Sequence, residues 1–203
     1  NKIIDFIKKN NIVSLISDSG TPAISDPGMI LINKCIDENL NIYPIPGPSA
    51  VTAAFSISGF GNQYLFYGFL TKKENELKSL LKNLCNYEHS IIFFIPSIKI
   101  NYYIPYFKQY FFDRKILIAR EMTKIHEEFI RDDIASIKNF SRDLKGELTV
   151  VFSEKINQKN ITKEIPESVK IEIYKMLKKY SHKDVVEFIS KKENVPKKLI
   201  YNF

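Results

Sequence analysis

Seven short apolar runs punctuate this chain: "IVSLIS" (12–17), "NIYPI" (41–45), "YLFYGFL" (64–70), "SIIFFIP" (90–96), "KILIARE" (115–121), "EEFIR" (127–131) and "ELTVVFS" (147–153). Runs this short, bounded by polar or turn residues, have the length and make-up of strands rather than helices. Between them lie stretches with helical spacing, at 29–39, 49–58, 74–85 and 98–111, and "NKIIDFIKKNN" at the start resembles the latter part of a helix. Strands alternating with helices predict an α/β fold, with a parallel sheet in the first sixty residues. Past residue 153 only helical patterns recur, at 167–179, 182–192 and 196–203. "GFGNQ" (59–63) interrupts the alternation, so three segments are expected: 1–62, 63–156 and a basic helical 157–203.

Hydrophobic residues make up 44% of the 203, enough for a sizeable core. No run approaches the ~18 apolar residues that a membrane span requires. The start carries no basic-then-apolar leader, and Cys35 and Cys85 form no array, so a reduced cytoplasmic setting is the expectation. The chain begins partway through a βαβ pattern, and an N-terminal piece is expected to precede it.

The net charge of +7 is uneven. Residues 155–203 hold 12 Lys against 6 acids, whereas residues 1–154 hold 18 basic and 17 acidic side chains. A basic tail attracts phosphate backbones regardless of sequence, and Lys191, Lys192, Lys197 and Lys198 are its candidate RNA contacts. The competing explanation is a solvated face in a chain with 26 Lys and 4 Arg.

The densest polar punctuation is "SDSGTPAISDPG" (17–28), between the first apolar run and a helix. The corner after a strand and before a helix is where open α/β folds place ligands. "PIPGPSA" (44–50) repeats that arrangement. Small residues such as Gly20, Gly47, Ser49 and Ala50 let backbone amides approach a ligand, and a helix start after Pro48 offers free amides to an anion. Asp26 before Pro27 is the expected cap of the following helix. Familiar alternatives are missing from the sequence: no Walker loop, no complete GxGxxG, no HExxH around His126, no GxSxG elbow. His89, His126 and His182 suggest no metal site.

Five blocks, "LISDSGTPAISDPG", "PIPGPSAVTAA", "YGFL", "AREMTKIHEEF" and "KGELTVVF", occur in an order and spacing that resemble the bacterial small-subunit (16S) ribosomal RNA cytidine 2′-O-methyltransferases of the tetrapyrrole methylase superfamily. The resemblance runs from about residue 9 to the C-terminus. It implies two α/β domains, the N-terminal one incomplete here, with a small helical appendage and S-adenosylmethionine between the domains. It also implies a homodimer acting on small-subunit ribosomal RNA or the assembled 30S subunit. By the same resemblance, Asp18, Gly20, Thr21, Ile24, Gly47, Ser49, Ala50, Tyr67, Ala119, Gly146 and Glu147 are cofactor-binding candidates, with Asp18 or Asp26 offsetting cationic charge. "REMTKIHEE" supplies Glu121 and Lys124 as catalytic candidates, and Arg120 and Lys124 as phosphate contacts. Alternation along a strand turns Arg120 and Glu121 to opposite sides unless the chain bends.

The chain departs from the family pattern in two places. Asp132 stands where a turn glycine is expected, and no "TPIGNLxD"-type loop occurs in residues 1–16. Two other readings stay open: a methylase of a corrin precursor, and a non-catalytic RNA-binding ribosome-assembly protein.

Overall fold

The computed structural model describes residues 2–142, 144–155, 165, 167–193, 195 and 197–201. It divides into two compact units, Asn1–Lys155 and Ile156–Phe203.

The first unit is built on five strands: β1 (Tyr64–Phe69), β2 (Ser90–Pro96), β3 (Lys115–Arg120), β4 (Glu128–Asp133) and β5 (Glu147–Phe152). They lie in the order β1-β2-β5-β3-β4; β1 and β2 are parallel and the other pairs antiparallel. The register explains the burial. Phe93, Val150 and Ile118 stand in one row across the sheet, and Ile92, Val151 and Leu117 in the next. Successive side chains face opposite ways, so these rows feed two separate cores.

One face packs against α4 (Glu74–Leu84) and α5 (Ile100–Phe111). In α5 the buried positions Ile100, Tyr103, Ile104, Phe107 and Phe111 follow the helical repeat, and Phe107 meets Phe152 edge-on at 4.8 Å. The other face receives α3 (Ala50–Ser56) through Val51 and Ala54, against Ile92, Leu117, Ala119 and Val151. Arg114, 1% exposed, pins the end of the sheet remote from α3's first turn. Its guanidinium donates to the carbonyls of Tyr87, His89 and Ser153. Burial lowers its pKa.

α1 (Lys2–Ile7) and α2 (Met29–Asp37) complete this unit, joined by an ion pair between Lys8 and Glu38 at 2.8 Å. The two earliest apolar runs are not strands. Residues 12–17 and 41–45 pair with nothing in the sheet, and Ile12, Ile16 and Ile45 are 94%, 85% and 85% exposed. The parallel sheet expected in the first sixty residues is therefore absent among the described residues; only β1 and β2 run parallel. Asp132 is no strained turn either. It lies in β4 opposite Ile116, its carboxylate accepting from Ser136 Oγ at 2.9 Å.

Residues 1–62 do not separate from 63–155 as compact bodies, because α3 buries its apolar side on the sheet. Of the connection at 154–164, residues 156–164 lie outside the described residues. The second unit contains α6 (Glu167–Leu177), α7 (His182–Glu193) and α8 (Lys197–Tyr201) around Val169, Ile173, Val185, Val186 and Ile189. The helix expected over 196–203 is seen for 197–201; residues 196, 202 and 203 lie outside the described residues.

Candidate active site

The loop at 17–28 is held in an unusual conformation. Gly20 has φ 70°, but so do non-glycines: Ala23 at φ 66° and Ser25 at φ 59°. Each costs on the order of 1 kcal/mol, which surrounding contacts must offset. Thr21 Oγ1 donates to the Pro48 carbonyl at 3.0 Å, tying this loop to the second proline-glycine corner. Ser25 Oγ lies 3.0 Å from where a Cβ on Gly68 would stand, so the glycine in β1 admits the loop. β1 is also bulged between Phe66 and Gly68. The expected Asp26 cap is not made. Gly28 takes the N-cap of α2 at φ 143° with no side-chain hydrogen bond, since the helix begins at Met29. Ser49, by contrast, caps α3, accepting from the Thr52 amide at 3.4 Å.

These elements enclose a cavity of about 250 Å³. Gly20, Thr21, Ile24, Ser25 and Asp26 form one wall, and Ser49 and Ala50 the corner beside it. The sheet supplies the rest: Phe69 from β1, Phe94 and Pro96 from β2, and Gly146, Glu147, Leu148 and Thr149 where β5 begins. Phe69 and Phe94 lie 5.4 Å apart, an aromatic surface at the cavity edge. Asp26 and Glu147 are its carboxylates.

Of the residues that the family resemblance singles out, Gly20, Thr21, Ile24, Ser49, Ala50, Gly146 and Glu147 line this one cavity. Asp18, Gly47, Tyr67 and Ala119 do not line the cavity. Ala119 is 1% exposed because its position in β3 faces α3. Tyr67 stands at the β1 bulge with its ring 5.9 Å from Phe93. Asp26, weighed mainly as a cap, is the loop carboxylate that reaches the cavity. Phe69, Phe94 and Thr149 were missed. The signal for the first was the glycine within a strand, which marks close backbone approach; the others depend on register.

The bend needed at "REMTK" exists. β3 ends at Arg120, and Glu121 adopts φ 48°. Its amide donates to the Glu147 carbonyl at 3.1 Å, and its Oε1 accepts from the Glu147 amide at 3.0 Å. The same oxygen takes the Lys124 ammonium at 3.0 Å. A Cβ on Gly146 would stand 2.3 Å from Glu121 Cδ, so the glycine makes room for this carboxylate. The Glu147 amide, then Lys124, hold the Glu121 carboxyl below its ordinary value of 4.5, and Glu121 raises that of Lys124. Glu121 does not line the cavity but is bonded to the backbone of Glu147, which does. Arg120 is also engaged, donating to the Lys145 carbonyl at 2.9 Å and pairing with Glu128 at 3.3 Å.

Among the tail candidates, Lys191 pairs with Glu187 at 3.6 Å and Lys192 with Glu172 at 2.7 Å. Lys197 is exposed in α8; the Lys198 side chain lies outside the described residues.

The family model "Tetrapyrrole (Corrin/Porphyrin) Methylases" matches residues 4–138. The ribosomal RNA small subunit methyltransferase I of Thermotoga maritima is 38% identical, over 76% of this chain and 70% of its own length. That of Bacillus subtilis is 30% identical over 99% of this chain and 71% of its own. The Rickettsia prowazekii protein of the same name is 37% identical over 78% of this chain, which spans 58% of that relative. Among solved structures, the methyltransferase CobJ (TM-score 0.58, 16% identity) covers 75% of this chain and is matched over 69% of its own, sharing the fold. Cobalt precorrin-4 methyltransferase CbiF does likewise, with TM-score 0.51, 14% identity, and 75% and 68% coverage. The chain belongs to the tetrapyrrole methylase family and, within it, to the ribosomal RNA small subunit methyltransferase I group.

Proposed function

We propose that this protein transfers a methyl group from S-adenosylmethionine to the ribose 2′-oxygen of a cytidine in small-subunit (16S) ribosomal RNA. The observation that carries the proposal is the bond between Thr21 and Pro48, which brings the two loops together over one cavity. The names of the relatives at 30–38% identity favour RNA over a tetrapyrrole as acceptor. The reading includes a cytoplasmic setting, in keeping with two free cysteines, and a homodimer on RNA or the 30S subunit.

The lining suits the donor's chemistry. Asp26 and Glu147 offer carboxylates to its ammonium and sulfonium, while Ile24, Phe69, Phe94 and Leu148 offer an apolar surface to its adenine. When bound, the donor would supply an electrophilic methyl for a ribose oxygen, the sulfur keeping the electron pair of the broken carbon–sulfur bond and the hydroxyl proton passing to solvent water. Glu121, stabilised as the anion by two donors, is a weak base, and Lys124 stays protonated beside it. Rate enhancement on this reading comes from positioning, which can supply several kcal/mol. Glu121 is a positioning residue: its carboxylate and amide fix Glu147 and so the wall at which β5 begins.

Calorimetric titration with S-adenosylmethionine tests the donor assignment. Replacing Asp26→Asn is expected to weaken binding about tenfold, the loss of one charge-assisted contact. Mapping 2′-O-methyl groups on small-subunit RNA from cells lacking the protein tests the acceptor; an unchanged map, with the protein shown to bind the donor, would refute it. For Glu121→Gln, which keeps an acceptor for the Glu147 amide, most of the turnover is expected to survive. Glu121→Ala raises the donor Kd. Complete loss of turnover in Glu121→Gln with donor affinity intact would restore Glu121 as the base.

A further inference from the structure

We propose that the turn between α6 and α7, with Lys175, Lys178, Lys179, Lys183 and Tyr180, is the surface on which this protein grips single-stranded RNA. The identity of the nucleic acid rests on the proposed function; the surface rests on how the tail's lysines divide.

One set of lysines is matched by acids. Lys170 pairs with Glu167 at 2.9 Å, Lys191 with Glu187 at 3.6 Å, and Lys192 with Glu172 at 2.7 Å and Glu193 at 3.4 Å. Around Lys191 and Lys192 the local charge nearly cancels. The second set forms no ion pair with a described residue. Lys175 is in the last turn of α6, Lys178 and Lys179 follow it, and Lys183 lies in the first turn of α7. The acid among them, Asp184, accepts from Ser181 Oγ at 2.6 Å as part of the helix start.

Helix chemistry explains only part of this. Lysines near the end of α6 are favoured by its dipole, but a lysine in the first turn of α7 is disfavoured there. A phosphate would relieve that repulsion. Tyr180, 58% exposed, lies between the lysines in the chain. An exposed aromatic ring set among lysines suits a single strand: the ring stacks on a base and the ammonium groups follow the phosphates. His182 is less available, its ring lying 5.3 Å from that of Tyr201.

The test uses the whole chain and a fluorescent single-stranded oligoribonucleotide, read by anisotropy across a salt series. The variant K178Q/K179Q/K183Q is expected to lose about tenfold in affinity at low salt and to flatten the log–log salt slope by roughly 2. K191Q/K192Q should stay within about twofold of the parent, and Tyr180→Ala should lose affinity with the slope unchanged. Equal losses in the two lysine variants, or none in the first, would overturn the proposal. So would polyglutamate binding as well as RNA. Donor affinity, measured on the same samples, separates the hypotheses. A parent protein that grips RNA through this turn yet binds no S-adenosylmethionine would refute the methylase reading and leave the surface standing.

Discussion

The runs "IVSLIS" and "SIIFFIP" look alike as sequence, yet Ile12 and Ile16 are 94% and 85% exposed while Ile91, Ile92 and Phe93 are at 0%. The second run lies between β1 and β5 and buries both faces; the first has no strand beside it among the described residues. Strand propensity expresses fit to a neighbouring surface more than a preference of the backbone. The cavity inherits this contrast. Its β2–β5 wall is anchored in two cores, whereas its loop wall, 19–26, is held by a few specific contacts.

The steepest way to break the contrast is to truncate one residue in each region. Phe93→Ala removes a side chain packed on Phe152 at 5.8 Å, and is expected to cost about 3–5 kcal/mol. Ile12→Ala is expected to change stability by less than about 0.5 kcal/mol. Chemical denaturation measures both; a cost for Ile12 comparable to that of Phe93 would mean the early run is buried in solution.

Gly146→Ala strikes the anchored wall where it meets the cavity. The new Cβ would collide with Glu121 at a residue held at φ 94°, a cost of about 2 kcal/mol or more. Donor affinity should fall with it. Combining Gly146→Ala with Glu121→Ala should recover part of the loss, because the collision disappears and only the backbone strain remains. No recovery in the double variant would show that Glu121 is not what excludes a side chain there.

How much of this was readable beforehand follows the same division. From residue 64 onward the expected elements match the observed ones closely, because each run has a partner that rewards it. The exact beginning of β4, expected at 127 and found at Glu128, hardly matters to the sheet. The loops were readable through their glycines and prolines, and the family resemblance placed Gly146 and Glu147 beside them. Phe94 and Thr149 were not, since they meet only once β2 is registered on β5. Nor did the sequence show that Lys192 is paired with Glu172, twenty residues away.

A pH titration sharpens the comparison from the rigid side. Because the Glu121 carboxyl is lowered below 4.5, its brace on Glu147 is complete above the ordinary carboxylate range and is lost only as pH falls through the lowered value. Donor affinity should therefore not decline on account of Glu121 between neutrality and about pH 5. In Glu121→Gln, which does not titrate, the acid limb arising from this group should vanish. An acid limb centred near neutrality that disappears in the same variant would show the carboxyl raised rather than lowered.

The gentlest perturbation is aimed at the loop wall. Thr21→Val keeps the side chain's shape and removes the hydroxyl that donates to the Pro48 carbonyl. A single exposed hydrogen bond contributes about 1 kcal/mol, so global stability should hardly register its loss. Its effect on the site should be larger than on the fold, because this contact joins the two loops and Ala23 and Ser25 keep their left-handed backbones only while the loop is held. A loss of about fivefold in donor affinity, with the denaturation midpoint almost unmoved, is the expected signature. Equal and small effects on both would mean that the close fit of Ser25 against Gly68 suffices to hold the loop, and that both walls of the cavity draw their order from the sheet.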